Sequence, residues 1–199
     1  MSSNNREVEA ARGPALGAAD REVLKDVAHR AVRHGLAHGQ PPGIDMSAYP
    51  AALHAVRSSF VTLKISGDLR GCVGSLEARY PLVEDVANNA FAAAFRDPRF
   101  APLGEHEYRR VGISISLLSP AETMPCASEA ELIAALQPGV DGLILEDGEG
   151  HRATFLPAVW QTLERPEEFI RQLKVKAGLA PHYWSATLRI RRYTTEHIS

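Results

Sequence analysis

Residues 60–75 read FVTLKISGDLRGCVGS, and the way this stretch pairs with itself decides the fold around it. Val61, Leu63 and Ile65 alternate with Thr62 and Lys64, which is the two-residue period of a strand with one buried face. Gly67-Asp68 supplies turn chemistry, and LRGCVGSLEA (69–78) returns as a second strand. A two-residue turn mixes apolar and polar residues on each face. A three-residue connection, Ser66-Gly67-Asp68, sorts them: Ile65 opposes Leu69, Lys64 opposes Arg70, Thr62 opposes Cys72 and Phe60 opposes Gly74. One face is then Val61, Leu63, Ile65, Leu69 and Val73. The other presents Thr62, Lys64, Arg70 and Cys72, with Gly74 expected to leave an open patch beside the sulfur.

That polar face is the candidate site. A thiol reacts as its thiolate, and an ordinary cysteine titrates near about 8.5. Residues two apart on a strand share a face about 6.5–7 Å apart, so Arg70 and Lys64 are expected to favour ionised Cys72 unless burial outweighs them. Gly71 and Gly74 remove side chains that would crowd a ligand. Against this stands a packing reading, because cysteine is among the most buried residues and strand glycines often mark bulges. A general base is not identifiable: the chain has eight histidines, none adjacent to Cys72.

Working outward, Asp20 reads as the N-cap of a helix carrying Val23, Leu24, Val27, Ala28, Ala31 and Val32, with Gly35 as its terminator. Pro81 opens a second helix whose inner face is Leu82, Val83, Val86, Ala87, Ala90, Phe91 and Ala94, and Pro98 ends it. VGISISLLS (111–119) reads as a strand. Ser128 and Glu131 form a capping-box pattern for a further helix. GLILEDGEGHRATFL (142–156) reads as a hairpin around Asp147-Gly148, and Pro157 and Pro166 begin short helices near 158–164 and 167–177. ATLRIRRYT closes the chain as a strand. Helices and hairpins are interspersed without a βαβ repeat, so the expected class is α+β, a mixed or antiparallel sheet with flanking helices.

The whole chain sets limits. Its 199 residues are 45% hydrophobic and 23% charged, with a formal charge of −2. That composition suits a globular domain able to bury a core, and offers no global attraction to nucleic acid or an anionic membrane. Two cysteines 54 positions apart, without metal-ligand spacing, suggest free thiols in a reducing cytoplasm and no metal site. No apolar run reaches the roughly 20 residues of a membrane span, and residues 1–17 are expected to be mobile.

Other candidates carry blander readings. In RDPRF (96–100), Arg99 could face an anionic ligand beside the thiol, or pair locally with Asp97 in a helix-ending turn. His151 reads as a hairpin-end polar residue. Lys174 and Lys176 suit a helix C-terminus. Arg189, Arg191 and Arg192 read as a solvated or edge-protecting face rather than an RNA surface. Glu22 with Asp26, and Glu167 with Glu168, read as helix-surface charges. Cys126, near a helix start, serves as an internal control.

Taken together, LRGCVGS, DPRFAPL, GISISLLS, GVDGLIL, ATFLPAVW, LKVKAGL and YWSATLRIRRYTTE occur in an order that resembles the AMMECR domain, also called protein A of the AmmeMemoRadiSam system, over residues 20–197. The resemblance implies an α+β fold for residues 18–199, with a larger and a smaller lobe, and a setting beside Memo-like and radical-SAM proteins. It names neither a particular reaction nor a cofactor, which the sequence leaves unknown. The family's Arg-Gly-Cys-hydrophobic-Gly motif falls on Arg70, Gly71, Cys72, Val73 and Gly74. The expected site is therefore Cys72 and Arg70 in chemistry, with Gly71, Gly74, Lys64, Thr62 and Arg99 binding a small-molecule or protein substrate. The alternative is a non-catalytic adaptor or ligand-binding module using the same face.

Overall fold

A computed structural model describes residues 16–199. The expectation for residues 1–17 falls outside this range except for Leu16, which is buried, and Gly17, which caps the first helix. The chain is α+β and divides into two compact units, residues 16–119 with 196–199 and residues 120–195. Each holds one four-stranded sheet, except that the strand β8 begins one residue before the return to the first unit.

In the first unit the strands are β1 (Ser59–Ile65), β2 (Asp68–Gly74), β3 (Val111–Leu118) and β8 (Thr195–Ile198), in the order β2-β1-β3-β8, with β1 antiparallel to both β2 and β3. Helix α2 (Leu82–Phe95) lies against β1 and β2, and α1 (Ala18–His38) packs on α2 and β3. The apolar stripe expected on α2 is buried throughout and meets Val61, Leu63, Ile115 and Leu117 of the sheet. Complete burial of a side chain such as Leu63 contributes roughly 2 kcal/mol, so this face holds the hairpin to the helix.

Two expectations about α1 change. Its N-cap is Gly17, and Asp20 lies three residues inside the helix, accepting the Gly17 N–H at 3.0 Å. The helix also runs through Gly35 to a left-handed cap at Gly39, φ 70°. Gly35 is a contact glycine: a Cβ there would stand 2.3 Å from the Phe95 ring. The bare backbone lets the two helices approach.

The β1–β2 pairing agrees with the expected register from Phe60↔Gly74 through Thr62↔Cys72 to Leu63↔Gly71, and departs from it only nearer the turn. There Lys64 opposes Leu69 and Ile65 opposes Asp68, which leaves Arg70 as the extra residue of a bulge. The turn is the two residues Ser66 and Gly67, both at positive φ (54° and 93°), the twist-matching kind of hairpin turn. A two-residue turn followed by a bulge gives the same distal register as the expected three-residue connection. Near the turn the faces differ, and Leu69, expected in the core, is 42% exposed.

The second unit contains β4 (Glu122–Thr123), β5 (Gly142–Glu146), β6 (Arg152–Phe155) and β7 (Arg189–Tyr193), all antiparallel in the order β4-β7-β5-β6. Helices α4 (Glu129–Ala135) and α5 (Pro166–Lys176), and a 3-10 turn at Pro157–Gln161, cover one face with Leu132, Trp160, Phe169, Ile170 and Leu173. Ser128 caps α4 by accepting the Glu131 N–H, as its pattern predicts. Strand β7 is paired on both sides, so its arginines do not protect an edge.

Candidate functional site

Cys72 sits on β2, the end strand of the first sheet, and its position is defined on three sides. Its N–H donates to Asp97 Oδ2 at 2.8 Å, Arg99 Nη2 donates to its carbonyl at 3.2 Å, and Thr62 Oγ1 donates to its Sγ at 3.3 Å. Cys72 and Thr62 are direct partners across the hairpin, so the hydroxyl meets the sulfur without distortion. The thiol is half-buried, neither sealed in hydrocarbon nor fully exposed. Among the described residues no histidine hydrogen-bonds it.

Asp97 and Arg99 come from the turn that ends α2. Asp97 is 5% exposed and accepts four N–H donors: that of Cys72, the Arg99 backbone, and Arg99 Nε and Nη2 at 2.9 and 2.6 Å. The Arg99 side chain holds the Asp97 carboxyl well below the usual carboxylate range, and the two backbone N–H groups assist against burial. In RDPRF the local reading holds. The local Asp–Arg pair forms, and the guanidinium within it reaches the Cys72 carbonyl.

Arg70 does not take the expected role beside the sulfur. From the bulge it donates to Glu107 on the short helix α3 (Glu105–Tyr108), Nε to Oε1 at 2.7 Å and Nη2 to Oε2 at 3.0 Å, and to the Ala101 carbonyl. The pair lowers the Glu107 acid to about 2, with help from the Gly104 N–H. Both guanidiniums stand within cation–π range of the Phe100 ring, 5.7 Å for Arg70 and 5.5 Å for Arg99. Lys64 is exposed and opposes Leu69 rather than Arg70.

The glycines also act differently from expectation. A Cβ at Gly71 would stand 2.1 Å from the Ala93 carbonyl oxygen, so this glycine admits the backbone of α2 rather than a ligand. A Cβ at Gly74 would lie 2.2 Å from the Phe60 ring, which fills the patch expected to be open. The structure thus brings Cys72 into contact with Thr62 and Arg99, directs Arg70, Gly71 and Gly74 to other partners, and leaves Lys64 exposed.

Sequence reasoning missed a second fastening of the same hairpin. Asp85 and Asn89, four residues apart on α2, are buried with Ser59. Asp85 Oδ2 accepts the Ser59 N–H (2.8 Å), the Ser59 hydroxyl (2.6 Å) and Asn89 Nδ2 (2.9 Å). Asn89 Nδ2 also reaches the Ser59 carbonyl and the Ser75 hydroxyl. Burial pushes the Asp85 acid up, against hydrogen bonds from Ser59, Ser75 and Asn89. Two polar residues at helical spacing inside a buried stripe were the available signal.

Elsewhere, Cys126 is half-buried, and burial followed by the Glu131 charge pushes its thiol up. Lys174 is not a solvated helix-end charge: its side chain is 0% exposed, paired with Glu129 at 2.9 Å near the Trp184 ring. Glu22, Asp26 and Glu168 make helix-surface ion pairs as expected. Asp147, Glu149 and His151 place possible metal-ligating atoms within 4.8 Å of one another. No described helix is long and apolar enough to cross a membrane.

This architecture defines a class: two α+β units, with a cysteine held on the end strand of the first sheet by the turn that leaves its covering helix. The AMMECR1 family model matches residues 25–198, and the chain belongs to that family. It is 35% identical over 153 residues to a protein of Methanothermobacter thermautotrophicus, covering 74% of this chain and 77% of that one. It is 35% identical over 150 residues to protein MJ0810 of Methanocaldococcus jannaschii, covering 72% of each. The crystal structure of the uncharacterised protein PH0010 from Pyrococcus horikoshii is similar with a TM-score of 0.84 at 30% identity, covering 92% of both chains.

Proposed function

We propose that this protein is an enzyme, or a component of one, that acts through the Cys72 thiol, with Arg99 as the cation that meets an anionic group of the substrate. The supporting observation is the three-sided fixing of Cys72. Its N–H, carbonyl and sulfur each hold one partner, so the thiol is presented in one orientation on an accessible strand. Preorganisation of this kind is what a reacting group needs from its scaffold. Arg99 takes the part first expected of Arg70, because half of its side chain is solvent-exposed, 52% against 14%. Thiol-dependent group transfer, or modification of a substrate shared with Memo-like and radical-SAM partners in a cytoplasmic setting, fits this arrangement.

The test is the rate of iodoacetamide alkylation of Cys72 against pH, followed by peptide mass spectrometry with Cys126 as the internal reference. Cys72 is expected to react about tenfold faster than Cys126 near neutral pH, and to lose that advantage in Arg99→Ala and Thr62→Val. Equal rates at the two thiols, unchanged by either substitution, would remove the activated-thiol reading.

A second reading, an adaptor or ligand-binding module using the same face, draws on the pairing of Arg70 with Glu107 and Arg99 with Asp97. That face is close to charge-balanced. Cys72→Ser separates the two, since an adaptor keeps its partner through this near-isosteric change and a nucleophile loses its activity.

A further inference from the structure

The second unit carries a cleft of about 620 Å³ between the connection from β5 to β6, residues 147–151, and the chain entering β7. Gly148 lies against Thr187, where a Cβ would stand 3.5 Å from the threonine Cβ. Among the lining residues are Glu146, Asp147, His151, Arg152, Thr187 and Arg189. None of them belongs to the thiol site.

The two carboxylates on this wall are already occupied. Glu146 accepts from Arg152 Nε at 2.6 Å and from Arg191 Nη2 at 3.1 Å. The Asp147 side chain, 1% exposed, accepts the backbone N–H groups of Glu149 and His151, each at 2.9 Å, and the His151 ring at 2.7 Å. A carboxylate acting as acceptor places the imidazole proton on Nδ1. The ring's other nitrogen then has no protein partner among the described residues. Arg189, directly across the strand pair from Glu146, forms no ion pair among the described residues, because Glu146 serves Arg152 and Arg191 instead.

We propose that this cleft binds a small molecule through a phosphate or carboxylate group held by Arg189, with the Asp147-oriented ring of His151 and the Thr187 hydroxyl as the neighbouring hydrogen-bonding groups. An unpaired guanidinium with its donors open is a ready partner for an oxyanion. A divalent cation is the poorer occupant. To use Asp147 with Glu149 and His151 it would compete with the hydrogen bonds that both Asp147 oxygens already accept, beside the guanidiniums of Arg152 and Arg189.

The test follows backbone amide NMR shifts of the full chain during titration with inorganic phosphate and, separately, sodium acetate, with chloride holding ionic strength constant. Saturable shifts at Gly148–His151 and Thr187 are expected with one anion or both, and the stronger response names the headgroup. Arg189→Ala is expected to weaken binding about tenfold, whereas Arg165→Ala, on an exposed arginine outside the cleft, leaves it unchanged. Absence of saturable shifts in the cleft with both anions overturns the proposal. So does an Arg189→Ala titration matching wild type, or a response to magnesium or zinc tighter than to either anion.

Discussion

Two buried aspartates fasten the same hairpin to opposite ends of one helix, and they do so by different physics. Near the start of α2, Asp85 receives only neutral donors, and burial pushes its acid up. Just beyond the end of α2, Asp97 receives a forked guanidinium as well as two backbone N–H groups, and its acid lies well below the ordinary range. Exposure is 1% for one and 5% for the other, yet the two acids shift in opposite directions. At Asp85 burial outweighs its neutral hydrogen bonds, whereas at Asp97 the hydrogen bonds from the Arg99 guanidinium outweigh burial.

The largest effect is expected from Asp97→Ala. It leaves the Cys72 N–H and the inner edge of Arg99 without an acceptor, a loss of about 2–3 kcal/mol of folding stability by urea melting. Cys72 alkylation should also lose its rate advantage over Cys126, because the strand is no longer held. If stability falls by less than that of Asp85→Asn, the contrast between the two aspartates is wrong.

Acid titration gives a smaller, signed difference. The lowered Asp97 acid contributes stability above its unfolded value of about 3.9, and that contribution is lost as pH falls towards the folded value. The raised Asp85 acid works the other way: its contribution is full below about 3.9 and is lost as pH rises through the folded value. Urea midpoints from pH 2 to 7 should therefore show a shallower acid limb in Asp97→Asn. Glu107, lowered to about 2 by Arg70, preserves part of that limb. In Asp85→Asn the acid limb should remain and the slope between pH 4 and 7 should flatten.

The smallest effect belongs to Asp85→Asn near neutral pH. Its amide oxygen can still accept the Ser59 N–H while the charge that burial disfavours is removed, so stability should stay within about 1 kcal/mol of wild type. A larger loss in the same urea assay would show that the ionised form is needed there.

Much of this hairpin was legible from alternation, because Val61 and Leu63 permit only one face to be buried. The bulge was not, since a two-residue turn plus one extra residue and a three-residue turn place Thr62 opposite Cys72 equally well. Gly35 misled for a related reason. Glycine ends helices and also admits close neighbours, and only the rings of Phe91 and Phe95, far along the chain, distinguish the two. Arg99 was identifiable from its sequence neighbour Asp97, whereas the pairing of Arg70 with Glu107 spans 37 positions and has no local signature. Asp85 and Asn89 were concealed by an apolar stripe that read as complete without them.

The hold of Asp97 and Arg99 on Cys72 has a consequence for how molecules meet one another. The outer margin of a sheet normally offers free amide and carbonyl groups on which a foreign chain can lay down another strand, and this is a common start of aggregation. Here the outward amide and carbonyl at the middle of β2 are already occupied by side chains of the same molecule. Loosening that hold would therefore endanger solubility as well as chemistry, and variants at Asp97 should self-associate at concentrations where the parent protein stays monodisperse.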